Sequence, residues 1–317
     1  MNVSQTHCAT CSTCTDEMTA SHGDNAPLRI ATRPSPQART QAGLVGEAIT
    51  TATGLRCELV FIESTGDVRA DVPLHQMAGQ GIFVKEVQRA VLDGRADIAV
   101  HSAKDLPTES DPGLAVGAWC ARRDPRDALI GRTLSALGSG ATIATGSARR
   151  RAQLRAARSD LSFVELRGNI GTRLERIPDN GAIVMAVAAL EILGLTGRIS
   201  ETLDPSVFVP MVGQGCVAVE HRFGDGRVRD ALAAIDHGPT RRAVETERAF
   251  LAVLGSGCSL PVGAHVDESG TITTFLAGAD QAGAKSIVMQ ADVSDPDTSR
   301  LVAAELARVS RRELAGR

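Results

Sequence analysis

The feature that most restricts the fold is an alternation of short apolar runs with helix-spaced segments, beginning at Leu28. LRIAT (28–32) reads as a buried strand, Pro36 opens a helical stretch to Ile49, and CELVFI (57–62) is a second strand by its β-branched and apolar content. Residues 84–92 have helical spacing with Gly94 as the stop, and ADIAVH (96–101) returns to strand. This rhythm predicts a doubly wound α/β sheet, in which ligands sit at the C-terminal strand ends. After DPRD (124–127) it restarts, with strands at TIAT (142–145), SFVEL (162–166) and AIVMA (182–186) and helices over 149–157 and 170–177. MVGQGCVAVE (211–220) reads as one more strand, returning to the first sheet.

A helix over 240–254 carries Val244, Leu251 and Leu254 on one face. Beyond Gly255-Ser256-Gly257, short strands at 264–266 and 271–277 and a helix near 298–315 predict a smaller α+β unit. The predicted organisation is a disordered tail (1–27), a discontinuous first domain (28–121 and 212–236), a second domain (122–211) and a third (237–317). With 317 residues, the chain is long enough for each unit to have its own core.

Composition narrows the partners. Aromatic residues make up 3%, with Trp119 the single tryptophan, which argues against stacking platforms for single-stranded nucleic acid. The net charge of −3 gives no global attraction to polyanions, so any anion site needs local clustering of cations. No run approaches the roughly 20 apolar residues that cross a bilayer. The first 27 residues are polar and contain acids, unlike a secretory signal. The expectation is a cytoplasmic monomer without nucleic-acid or membrane partners, whose seven cysteines are free thiols, metal ligands or attachment points. Cys8, Cys11 and Cys14 have metal-like spacing, but no fourth cysteine lies nearby and their surroundings are polar. No metal site is expected.

The predicted strand ends share a pattern. The first ends in Thr32-Arg33-Pro34-Ser35 and the third in His101-Ser102-Ala103-Lys104-Asp105. In the second domain the ends are Thr145-Gly146-Ser147-Ala148-Arg149-Arg150 and Arg167-Gly168-Asn169, with Arg173 a turn beyond. Cations, hydroxyls and free backbone N–H groups at helix starts favour carboxylates or phosphates. One such arginine is ordinarily a solvated helix end; several at equivalent strand ends in two domains point to a polyanion cleft.

Asp105 breaks the pattern, because a carboxylate among cations stays ionised and can hold an N–H or a developing positive charge; a helix cap or salt bridge is the alternative. Cys258, in GSGCSLP (255–261), sits among small residues that suit a displayed thiol, although a free cysteine is more often a small buried hydrophobe. No phosphate-binding or dinucleotide-binding glycine loop and no Cys–His or Ser–His–Asp set is evident.

Several segments resemble the hydroxymethylbilane synthase (porphobilinogen deaminase) family. They are LRIATRPSP (28–36), GIFVKEVQRAVLDGRADIAVHSAKDLP (81–107), RRDPRDALI (122–130), TGSARRRAQL (145–154), LRGNIGTRL (166–174), VGQGCVAVEHR (212–222) and ERAFLAVLGSGCSLPVG (247–263). The resemblance implies two domains like those of type II periplasmic binding proteins plus a small third. It also implies a transferase that joins four porphobilinogen molecules head to tail with loss of ammonia, in porphyrin and haem biosynthesis. A dipyrromethane cofactor would be attached covalently at Cys258 and Asp105 would be catalytic. Cofactor or substrate carboxylates would be bound by Arg33, Ser35, Lys104, Thr145, Ser147, Arg149, Arg150, Arg167, Gly168 and Arg173. Two departures stand out: Gln76 and Gln80 occupy a loop where many relatives carry lysines, and Ile192 stands where an arginine is usual. A non-catalytic binder of small polyanions and a weakly active divergent paralogue are the competing readings; a binder has no need of Cys258 or Asp105.

Overall fold

A computed structural model of the chain describes residues 26–64, 83–255, 261–278 and 284–316. Residues 1–25 of the expected tail, with its three cysteines, and Gln76, Gln80 and Cys258 fall outside the described residues.

The first sheet has the order β2-β1-β3-β10-β4. Strands β1 (Leu28–Thr32), β2 (Cys57–Phe61) and β3 (Ile98–Ser102) are parallel, whereas β10 (Val217–Arg222) runs antiparallel between β3 and β4 (Leu114–Trp119). The returning strand is therefore as expected, though it starts later because Gly213 and Gly215 adopt φ of 70° and 87° in the turn before it. Helix α1 (Pro36–Thr53) shows why the local sequence folds. Ser35 caps it by accepting from the Ala38 N–H, Pro36 presets the first turn, and Gly54 closes it at φ 76°. Its buried stripe of Gln41, Ala42, Val45, Gly46 and Ile49 packs on the sheet. Covering the fully buried Ile49 is worth roughly 1.5–3 kcal/mol. The other face of the sheet receives α2 (Lys85–Leu92) through Val87, Ala90 and Val91.

The second sheet repeats the scheme in the order β7-β6-β8-β5-β9. Here β6 (Thr142–Ala144), β7 (Ser162–Val164) and β8 (Ala182–Ala186) are parallel, and β5 (Asp127–Ile130) is the antiparallel member beside β9 (Glu201–Thr202). Helix α3 (Ala148–Ala157) follows β6, α4 (Ile170–Leu174) follows β7, and α5 (Val187–Ile192) follows β8 directly. The chain thus crosses between the sheets twice, at 120–126 and at 203–216. The crossings are tied together: the Arg123 N–H donates to the Gly215 carbonyl at 2.9 Å, and Gln214 Nε2 donates to the Pro125 carbonyl at 2.7 Å.

Helix α6 (Gly226–Ala233) covers the first sheet, and α7 (Gly238–Leu254) leads into a three-stranded antiparallel sheet of β11 (Val262–Val266), β12 (Thr271–Ala277) and β13 (Ser286–Asp292). Helix α8 (Ser299–Leu314) packs on that sheet and on α7 around Phe250, Leu254, Leu306 and Ala307.

Candidate active site

Asp105 and Lys104 occupy a single 3-10 turn, Ala103–Asp105, at the C-terminal end of β3. The turn is pinned from behind, where Gly213 comes so close that a Cβ there would meet the Ala103 Cβ at 3.1 Å and the Lys104 backbone nitrogen at 3.3 Å. Asp105 lines a recess with Arg33, Ser35, Phe83 and His101, and the Arg33 guanidinium lies over the Phe83 ring at 4.1 Å from its centroid. An adjoining recess joins Lys104 and Gln37 of the first sheet's elements to Ala188, Ala189 and Ile192 of α5. Ile192 therefore presents an apolar wall opposite Lys104.

From the second sheet, the strand ends bring the remaining candidates. Thr145 is buried, and its hydroxyl accepts from the Ser147 N–H at 3.2 Å; Ser147 in turn caps α3 by accepting from the Arg150 N–H. Arg149 and Arg150 differ from the expected open helix-end cations. Both are buried, and both bind the fully buried Asp127 at the start of β5: Arg149 Nη2 at 2.7 Å to Oδ2, Arg150 Nη2 at 2.7 Å to Oδ1. They also donate to the carbonyls of Val209 and Val184. A lone buried guanidinium is costly, and Asp127 offsets that cost for two, leaving one net positive charge. Burial alone would raise the Asp127 carboxyl, but Arg149 and Arg150 hold it down at about 2. Among the described residues, the buried Arg149 Nε has no hydrogen-bond partner.

Gly168 adopts φ 113°, a conformation that glycine suits, and its carbonyl accepts from Arg173 Nε at 2.7 Å. Burial lowers the Arg173 guanidinium to about 10, with Arg150 and Arg167 acting in the same direction and Asp105 opposing them. Burial likewise pushes the Lys104 ammonium down to about 8; Asp105 and Asp127 resist this, while Arg150 and Arg149 add to it. These interactions place Lys104, Asp105, Arg149, Arg150, Arg167 and Arg173 within electrostatic reach of one another across the two sheets. Among the described residues, none donates a hydrogen bond to the Asp105 carboxylate.

Four further residues organise this cluster: Asp127, Gln214, Arg122 and Glu247. Glu247 on α7 is fully buried; it binds Arg122 Nη1 at 2.5 Å and accepts from the Gly213 and Val266 N–H groups. Their sequence signal was present in RRDPRDALI (122–130), VGQGCVAVEHR (212–222) and ERAF (247–250), but buried contacts between distant segments have no local spacing to announce them.

A dipyrromethane carries two acetates, two propionates and two pyrrole N–H groups. The residues present fit it: excess cations and an unpaired buried N–H for the carboxylates, and one carboxylate open to N–H donors. What the fold and cluster define is an α/β protein in which cations from two sheets gather around one carboxylate, Asp105. The chain belongs to the porphobilinogen deaminase family: the model of its dipyrromethane cofactor binding domain matches residues 28–230, and that of its C-terminal domain matches 241–311. Similar proteins include the porphobilinogen deaminases of Roseiflexus sp. (43% identical; 85% of this chain, 91% of the relative) and Acidothermus cellulolyticus (43%; 90% of each). That of Nitratidesulfovibrio vulgaris is 44% identical over 85% of this chain and 88% of its own. Among solved structures, the methionine-binding protein MetQ superposes with a TM-score of 0.43 at 14% identity, over 71% of this chain and 94% of that one. That overlay is loose, and the fold described above stands on its own strand order.

Proposed function

We propose that this chain is a hydroxymethylbilane synthase in which Asp105 does the chemistry, the cations around it hold carboxylates, and Cys258 carries the cofactor. The reaction joins four porphobilinogen molecules head to tail, each losing ammonia, and water releases the linear tetrapyrrole. The observation that carries the residue roles is the position of Asp105: one carboxylate, without a hydrogen-bond donor among the described residues, set amid Lys104, Arg173 and the Arg149–Arg150 pair.

When bound, the dipyrromethane supplies a pyrrole carbon to which the first substrate couples. Asp105 accepts pyrrole N–H groups and stabilises the positive charge that develops as ammonia departs, an interaction strongest in the transition state. Lys104, Arg167 and Arg173 orient acetate and propionate side chains, while Arg149 and Arg150 contribute the net charge left over by Asp127. Thr145 and Ser147 shape the helix start that faces these carboxylates, and Gly168 turns the chain so that Arg173 can fold back. Arg33 and Ser35 line the wall beyond Asp105. Covalent attachment keeps the product chain in place, making each coupling effectively intramolecular.

The proposal includes three domains divided as the sequence suggested, since each of the three sheets has its own buried cluster. It also includes a cytoplasmic monomer, on the reducing-compartment argument for the thiols. Among the described residues no helix is long and apolar enough to cross a membrane.

Intact-protein mass spectrometry tests the assignment. The native chain should carry the added mass of two pyrrole units, absent from Cys258→Ser. Asp105→Ala should keep that mass yet lose about 10²–10³ in turnover of porphobilinogen. An unmodified native protein from a host that makes the cofactor would refute the attachment. Normal turnover in Asp105→Ala would remove that residue from the chemistry.

A further inference from the structure

We infer that Gln214 is a positioning residue that sets the direction of the Arg149–Arg150 pair through Asp127, and that Glu247 on α7 locks Gln214 through Arg122. The inference rests on the proposed carboxylate-binding role of that pair. Gln214 is buried in the second crossing between the sheets. Its side-chain Nε2 donates to Asp127 Oδ1 at 3.1 Å, the oxygen that also receives Arg150 Nε and Nη2. The same Nε2 donates to the Pro125 carbonyl in the other crossing. Its backbone carbonyl accepts from Arg122 Nε at 2.9 Å, and the Arg122 guanidinium is clamped by both oxygens of Glu247. Glu247 Oε2 also takes the N–H of Gly213, the residue before Gln214.

The path Glu247–Arg122–Gln214–Asp127–Arg150 is therefore continuous in hydrogen bonds, with Glu247, Gln214, Asp127 and Arg150 buried and Arg122 partly so. A carboxylate held by two guanidiniums alone can pivot between them; the amide donated from a different segment fixes which oxygen faces Arg150. Helix α7, which ends at Leu254, is thereby joined to the anion-binding pair.

The test compares Gln214→Met, which keeps volume and removes both donated bonds, with Gln214→Glu, which places a second carboxylate beside Asp127. Each is measured for porphobilinogen KM and kcat, melting temperature, and the rate at which apo-protein gains the two-pyrrole mass. Both variants should raise KM about tenfold, the equivalent of roughly one charge-assisted hydrogen bond, and slow cofactor gain, with kcat within about twofold. An unchanged KM and unchanged cofactor gain, with or without a lower melting temperature, would overturn the inference and leave Gln214 a packing residue. If one variant does not fold, the other decides. A wild-type protein without turnover would instead overturn the proposed function, which keeps the two failures apart.

Discussion

At the scale of single residues, the site consists of charges that constrain one another. Lys104 illustrates this: burial and two guanidiniums bring its ammonium down to about 8 from an ordinary 10.5, against the pull of Asp105 and Asp127. A lysine in that position is charged at neutral pH but loses its proton as pH rises through 8. Its grip on a substrate carboxylate then falls over the same range. The kcat/KM profile, which reports groups of the free enzyme, should therefore decline on its alkaline limb near pH 8. In Lys104→Arg the guanidinium stays charged, so that limb should move to higher pH even if the maximum is lower. An alkaline limb identical in both proteins would assign the titration elsewhere. Burial also lowers the Arg149 guanidinium, and the Asp127 carboxylate that it binds opposes that shift.

At the scale of elements, the parallel strands and their helices were legible from the sequence, as were the antiparallel β10, β11 and β12, whereas the antiparallel β4, β5, β9 and β13 were not. The runs at β1, β3 and β8 are buried along nearly their whole length, so each reads as a continuous apolar stretch flanked by helical periodicity. Helix α1 announced itself through Ser35, Pro36 and Gly54. By contrast β5 is only DALI, too short for periodicity, and it opens with a carboxylate whose burial makes sense only once Arg149 and Arg150 arrive from another segment. Strand β13 alternates exposed and half-buried positions at a sheet edge, and its polar residues disguise it. The predicted 211–220 strand began too early because glycines 213 and 215 belong to the crossing. Gly215 has φ 87°, and an added Cβ would lie 2.5 Å from the Arg123 carbonyl oxygen. Gly215→Ala should therefore both strain the backbone, by about 1–2 kcal/mol for the left-handed conformation, and push the two crossings apart. Urea denaturation should show a loss larger than the backbone strain alone, and a loss no greater than that of Ala at the unobstructed Gly224 (φ 87°) would argue that the crossings tolerate separation.

At the scale of the whole molecule, two buried carboxylates join what the chain separates. Asp127 ties β5 to α3 and to the second crossing, and Glu247 ties α7 to β11 and to both crossings. Burial would raise each carboxyl, but each sits well below its ordinary value, at about 2 against 3.8 for Asp127 and 4.5 for Glu247. The guanidiniums of Arg149 and Arg150 win in the first case, and Arg122 with His265 wins in the second. The sign follows directly. Between about pH 4.5 and pH 2 the unfolded chain binds protons that the folded chain refuses, so stability contributed by these pairs is complete above the unfolded values and drains away as pH falls toward 2. Acid should therefore unfold the protein steeply within that window, and all three sheets should lose structure together because the same two carboxylates link them. Glu247→Gln should lower stability at pH 7 by about 3–5 kcal/mol, since it strands Arg122, yet flatten the acid limb because one of the two titrations is gone. Urea midpoints at pH 7, 5 and 3 measure both effects. An acid limb as steep in Glu247→Gln as in the native protein would show that the carboxylates driving acid unfolding lie elsewhere.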